Sequence, residues 1–239
     1  DDLRRIDWNL YGRLERHFIK LFEEEEDLRL YIILDCSASM DYGSPSKFDA
    51  ARRLAAALAY ITLSNHETVQ VNVFAGDYRM LTTPSRGKGK IHPLLRKLNE
   101  LKAEGGSQLS HAASRFAAAT RRNGLVVVIS DFLMPEGIES IAPLLGGGHQ
   151  IELIQVLAPE EANPKLTGDL ALVDMETGEQ VEVSMGPGVL RKYHQRLNAL
   201  QAELKAFSHR GRGDFFQYVT TTTLKDFVLG GLRAGKLVR

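Results

Sequence analysis

Short apolar, β-branched runs alternate along the chain with stretches whose apolar residues recur at helical spacing. That alternation predicts a mostly parallel sheet covered by helices on both faces. Strands are expected over residues 29–35, 68–74, 78–82, 125–131, 150–157 and 215–220. The clearest helix is expected over 47–63. Ser46 with Asp49 three residues later forms a capping-box pattern before it, and Phe48, Ala51, Ala55, Leu58 and Thr62 line one of its faces. Further helices are expected over 91–102, 108–122, 138–145 and 189–208.

Two stretches depart from this alternation. Residues 5–25 carry patchy apolar positions and a charged end, and read as an extended arm, a strand pair against one edge of the sheet. Residues 170–185 alternate apolar and polar positions on either side of Thr177-Gly178, the signature of an inserted β-hairpin. The expected organisation is an N-terminal arm over 1–28 packed on one α/β domain over 29–239. No internal repeat or low-complexity tract interrupts it, and Gly146-Gly147-Gly148 is a short connection.

The chemistry concentrates where the first strand ends. Asp35, Ser37 and Ser39 follow the apolar run Leu30-Tyr31-Ile32-Ile33 at alternate positions. One carboxylate and two hydroxyls on a turn suit Mg²⁺, which takes an octahedron of oxygens at ~2.0–2.1 Å with one or two carboxylates and several waters. In an open sheet of order 3-2-1-4-5-6, ligands collect at the carboxyl ends of strands 1 and 4. Asp35 ends the first of these and Asp131 the fourth. A third loop, Gly105-Gly106-Ser107, has glycines that let the backbone approach an ion closely.

The D-x-S-x-S pattern resembles the metal-ion-dependent adhesion site of von Willebrand factor A domains. Reading outward, Arg5-Ile6-Asp7-Trp8-Asn9, Phe22-Glu23-Glu24-Glu25-Glu26 and Ser130-Asp131-Phe132 resemble the bacterial family called domain of unknown function fifty-eight. The resemblance covers nearly the whole chain and implies a von Willebrand factor A-like, Rossmann-like open sheet. It implies direct metal contact by Ser37 and Ser39, and contact through water by Asp35 and Asp131. It also places a metal-facing hydroxyl, commonly Thr, at Ser107. Such a site leaves the cation under-neutralised, so a Glu or Asp of a protein partner could complete the octahedron. Genes of this family commonly neighbour MoxR-type AAA+ ATPases, so the resemblance implies an adaptor or chaperone-like domain that binds such an ATPase or its client.

Composition narrows the alternatives. In 239 residues, Lys+Arg and Asp+Glu both number 30, so no global field draws the chain to nucleic acid or an anionic membrane. The length suffices for a substantial core. Cys36, the only cysteine, has no internal disulfide partner, and a reducing cytoplasm is the expected location. No run reaches the ~18 apolar residues of a membrane span. The chain starts at Asp1-Asp2 without an initiator Met, which is read as trimming upstream.

The competing function is a Mg²⁺-dependent phosphoryl-transfer or hydrolytic enzyme using Asp35. A phosphoaspartyl hydrolase commonly needs a second acid where this chain has Ser37. No G-x-S-x-G elbow exists, and Gly87-Lys88-Gly89-Lys90 fails the P-loop pattern. Cys36 reads as an inert buried side chain, and Asp41 and Asp49 as loop and helix-start residues. The acidic run 23–27 and the basic cluster Arg86, Lys88, Lys90, Arg96, Lys97 and Lys102 read as solvated surface, the latter lacking interleaved aromatics. Arg212-Gly213-Asp214 is a chance tripeptide, and the seven histidines show no zinc spacing.

Overall fold

The computed structural model describes residues 28–134, 137–164, 168–173, 175, 178 and 180–232. The arm expected over 1–28 lies outside the described residues except for Leu28. In chain order the elements are β1 (Arg29–Asp35), α1 (Lys47–Ser64), β2 (Thr68–Ala75), β3 (Asp77–Met80), β4 (Ser85–Arg86), α2 (Ile91–Asn99), α3 (Leu109–Ala119), β5 (Leu125–Ser130), β6 (Gln150–Leu157), α4 (Pro159–Ala162), β7 (Gly168–Val173), β8 (Gln180–Met185), α5 (Pro187–Arg210), β9 (Phe215–Val219) and α6 (Leu224–Asp226). Short 3-10 turns at Ala38–Asp41 and Gly137–Gly147 complete the connections that matter below.

β1 lies at the centre of the sheet, and every residue after Arg29 is buried. It is covered on both faces, which explains an unbroken apolar run in place of alternation. Leu30, Ile32 and Leu34 join the core on the α1 side, and Tyr31 and Ile33 the core on the α3 side. Full burial of an aliphatic side chain of this size stabilises by about 1.5–3 kcal/mol. β2, β1, β5, β6 and β9 run parallel, while β3 and β4 pair antiparallel with β2. The order β3-β2-β1-β5-β6-β9 reverses between β1 and β5, as expected, so their carboxyl ends flank a crevice.

α1 forms where its pattern placed it. The Ser46 hydroxyl accepts from Asp49 N at 3.2 Å, capping the helix, while Asp49 pairs with Arg52 at 2.7 Å instead of reaching back to Ser46. Phe48, Ala51, Ala55, Leu58 and Thr62 are all buried. α1, α2 and the Phe227–Leu232 turn cover one face of the sheet; α3, the Gly137–Gly147 turn and α5 cover the other.

Several boundaries shift for identifiable reasons. The stretch expected as a helix over 138–145 is a 3-10 coil, because Pro143 has no N–H to donate and glycines flank it. α2 stops at Asn99, where Leu101 turns into the core. The third strand ends at Met80, since Leu81 N and Thr82 N both bond to Val71 O and Thr82 Oγ1 accepts from Val71 N, curling the chain around β2. The inserted hairpin is present as β7 and β8, with Leu170 opposite Val183 and Leu172 opposite Val181, in a two-stranded sheet of its own. α4 and the C-terminal helical turns were not expected from the pattern.

Candidate metal centre

β1 delivers Asp35 to the crevice with no exposed surface. Cys36 N still bonds to Phe74 O at 2.8 Å, and only then does the chain leave the sheet. The turn is organised by Asp35 itself: its Oδ1 accepts from Ser37 N at 2.9 Å and from Ser37 Oγ at 2.6 Å. This local carboxylate-to-backbone bond is the reason Asp-x-Ser favours a turn here. The Ala38–Asp41 turn follows, and Ser39 Oγ stands 3.0 Å from Ser37 Oγ.

β5 supplies the facing wall. Ser130 Oγ donates to Asp35 Oδ2 at 2.6 Å and accepts from Phe132 N at 3.1 Å. Asp131 is 4% exposed, and its Oδ1 accepts from Leu133 N at 3.1 Å. Burial, and then the neighbouring Asp131, push the Asp35 carboxyl up to about 7, against the hydroxyl and backbone bonds from Ser130 and Ser37. Cys36 beside it is pushed up to about 12 by burial and by Asp35, which makes it an inert thiol.

The third loop is stitched to the first by backbone bonds. Ala38 N bonds to Gly105 O at 2.9 Å, Glu104 N to Cys36 O at 2.8 Å, and Gly76 N to Gly106 O at 2.7 Å. Gly105 adopts φ +80, a conformation that suits glycine. Ser107 therefore belongs to the same end of the sheet as Asp35, and its hydroxyl lies 4.0 Å from Met134 Sδ, on the loop that leaves β5.

Three site residues were given no role by the sequence reading. One is Ser130, which entered it only within the Ser130-Asp131-Phe132 motif. The others are Lys47, the first residue of α1 and 1% exposed, and Glu161 on α4. Lys47 Nζ donates to Asp131 Oδ2 and to Glu161 Oε1, both at 2.6 Å, and the Tyr42 ring stands 5.9 Å from it. Burial lowers the Lys47 pKa, but Asp131 and Glu161 outweigh it and hold the ammonium above its ordinary value. Glu161 is fixed in turn, its Oε2 accepting from Ala158 N at 2.9 Å and its backbone oxygen accepting from Tyr193 OH at 2.6 Å. Gln155 Nε2 donates to Asp131 O at 2.9 Å, and Gln201 Nε2 to Gln155 Oε1 at 3.0 Å, tying the Asp131 loop to α5.

These residues fit a small hard cation. Two oxygens cis in an octahedron with ~2.1 Å bonds are about 3.0 Å apart. Ser37 Oγ and Ser39 Oγ are hydrogen-bonded to each other at that distance, and with the Ser37 proton given to Asp35 each hydroxyl still retains at least one lone pair. Asp35 and Asp131 have their oxygens engaged by hydrogen-bond donors, which suits carboxylates that act through water. Among the described residues no group of three or more His, Cys, Asp and Glu side chains could hold a metal, so any such site depends on the hydroxyls.

Similarity to known proteins supports the architecture. BatB of Bacteroides thetaiotaomicron superposes with a TM-score of 0.54 at 17% identity, over 87% of this chain and 99% of that one. An aerotolerance-related membrane protein of Bacteroides fragilis superposes at 0.58 and 18% identity, with the same coverage. The fold is an α/β fold of the von Willebrand factor A type. Among the described residues no helix is long and apolar enough to cross a membrane. Uncharacterized proteins of Mycobacterium tuberculosis and Mycobacterium bovis are each 29% identical over 221 residues, which is 89% of this chain and 68% of theirs. The chain matches the family described as Protein of unknown function DUF58 over residues 1–203, and it belongs to that family.

Proposed function

We propose that this chain is a divalent-cation-dependent protein-binding domain of the adaptor or chaperone-like kind. The observation that carries the reading is the Ser37–Ser39 hydroxyl pair, 3.0 Å apart beside buried Asp35 and facing Asp131 across the switch point of the sheet. In this reading Ser37 and Ser39 hold Mg²⁺ or Mn²⁺ directly, Ser107 adds a third hydroxyl, and Asp35 and Asp131 act through bound water. When bound, the cation supplies a Lewis-acidic point that an acidic side chain of a partner can reach by displacing water.

The partner in this reading is a MoxR-type AAA+ ATPase or a protein that it remodels, acting in the cytoplasm, where ATP is abundant. The ATPase supplies nucleotide hydrolysis. An enzymatic role for Asp35 fits the geometry less well. A nucleophilic carboxylate must be open to its substrate, whereas both Asp35 oxygens are hydrogen-bonded in a fully buried position.

Isothermal titration of the chain with the MoxR-type ATPase of the same organism tests the reading. Binding requires Mg²⁺ or Mn²⁺, weakens with Ca²⁺, which prefers longer bonds and more ligands, and disappears when one acidic residue of the ATPase is neutralised. Full affinity in EDTA overturns it. A pull-down with and without EDTA identifies a different client if the ATPase does not bind.

A further inference from the structure

Lys47 stands at a costly position. It is the first residue of α1, where the positive end of the helix dipole disfavours a cation. It is also 1% exposed, and a buried ammonium survives only where carboxylates compensate it. Two do so, Asp131 at the end of β5 and Glu161 on α4 after β6, both at 2.6 Å, with the Tyr42 ring beside it. A surface lysine paired by chance does not have this arrangement. Glu161 is itself pinned by Ala158 N and by Tyr193, so the bridge runs between two fixed carboxylates.

The bridge has two consequences for the crevice. Lys47 takes Asp131 Oδ2 and Leu133 N takes Oδ1, so the Asp131 side chain is held in one orientation before any cation arrives. The ammonium also neutralises part of the charge that Asp35, Asp131 and Glu161 gather at the carboxyl ends of three strands. A divalent cation entering beside Asp131 meets a carboxylate already shared with a fixed positive charge. In a buried site that repulsion is weakly screened.

We infer that Lys47 is an internal counter-cation of the metal centre: it positions Asp131, and its charge holds the affinity of the isolated domain for a divalent cation low. The cation is then retained firmly only when a partner's carboxylate adds its negative charge, which makes metal and partner binding mutually dependent. This inference rests on the proposed metal-dependent function. It concerns the chain's own residues, and apo stability and metal affinity read it without any partner.

The test is Mn²⁺ titration followed by the electron paramagnetic resonance signal of free Mn²⁺, with thermal unfolding in EDTA alongside, on the parent, Lys47→Gln, Lys47→Arg, Glu161→Gln and Asp35→Ala. Lys47→Gln keeps a donor for Asp131 but loses the charge, and it tightens Mn²⁺ binding at least tenfold while lowering the unfolding temperature in EDTA. Lys47→Arg keeps the charge and stays near the parental affinity. Glu161→Gln removes a negative charge and weakens binding several-fold, so the two neutralising changes move affinity in opposite directions. If Lys47→Gln does not fold in EDTA, the direction of Glu161→Gln decides. An unchanged or weaker affinity in Lys47→Gln, or a tighter one in Glu161→Gln, overturns the role of Lys47 while leaving the metal site standing. Absence of Mn²⁺ binding by every variant at 10-millimolar-scale metal, or binding that survives Asp35→Ala, overturns the metal reading itself.

Discussion

Ser130 Oγ and Asp35 Oδ2 are joined by a 2.6 Å hydrogen bond across 95 residues of sequence, and that bond closes the β1 and β5 ends over the crevice. Asp35 has no exposed surface, so its oxygens depend on protein donors alone or on a bound ion's waters. Ser130→Ala removes the hydroxyl that donates to Oδ2, and the expected cost is about 1–3 kcal/mol, the penalty of an unsatisfied buried acceptor. Urea unfolding checks this. The midpoint falls with the slope unchanged, and a midpoint equal to the parent's would mean that water replaces the hydroxyl.

Ser37 and Ser39 are unequal, although the sequence presents them as a pair. Both lie on the turn that leaves β1, a position where a hydroxyl can often be lost at little cost. Ser37 is instead fully buried and bonds twice to Asp35, whereas Ser39 is half-buried and touches Ser37. Ser37→Ala should cost about 1–3 kcal/mol and Ser39→Ala within about 0.5 kcal/mol. Both should reduce metal-dependent partner binding. Denaturation curves of the two single variants decide the asymmetry, and equal costs would show that the Ser37–Asp35 bond adds nothing to the fold.

Much of this arrangement was legible because its determinants are local. The apolar runs of β1 and β5 and the capped start of α1 fix strands and helix without distant help. The parallel alternation then places Asp35 and Asp131 at one end of the sheet. Lys47 was missed for the opposite reason, since its two partners are 84 and 114 residues away and a lysine on a helical pattern reads as solvated. A signal did exist: a cation directly after the Ser46 cap opposes the helix dipole and calls for compensation. Glu161 was hidden by the brevity of α4, four residues that no periodicity can reveal. The arm over 1–28 falls almost wholly outside the described residues, and its acidic run 23–27 with it.

His149 is 4% exposed at the far end of the sheet from the crevice, its ring 5.7 Å from both Tyr31 and Phe116. Burial lowers its pKa, with the Gly124 backbone working weakly the other way. The unfolded chain therefore takes up a proton at higher pH than the native one. Above the ordinary histidine value of about 6.5 the residue makes no difference to pH dependence, and as pH falls below it the native state loses stability. His149→Phe keeps the aromatic packing and removes the titration. Its stability between pH 7 and 5 should fall less than the parent's in parallel urea titrations; identical slopes would show that His149 protonates freely in the fold.

Asp35 offers a direct test of the metal centre, although its replacement by Ala also leaves the Ser37 and Ser130 donors without their buried acceptor and lowers the starting temperature. Burial and Asp131 push the carboxyl up to about 7, so at pH 8 the ionised form is held against an unfavourable environment. Removing it does not strip the apo protein of a stabilising ion pair. A cation that binds only the folded state stabilises it by about 1.4 kcal/mol at ten times its dissociation constant, which is roughly 3–6 °C in a domain of this size. Mg²⁺ or Mn²⁺ at millimolar levels should raise the parent's unfolding temperature by that order at pH 8, and Asp35→Ala should show no response while remaining folded in EDTA. Asp131→Ala should lose the response too, again with a lower starting temperature, since it leaves the Lys47 ammonium buried with Glu161 alone. A metal-induced rise that persists in both variants would place the bound ion elsewhere on the molecule.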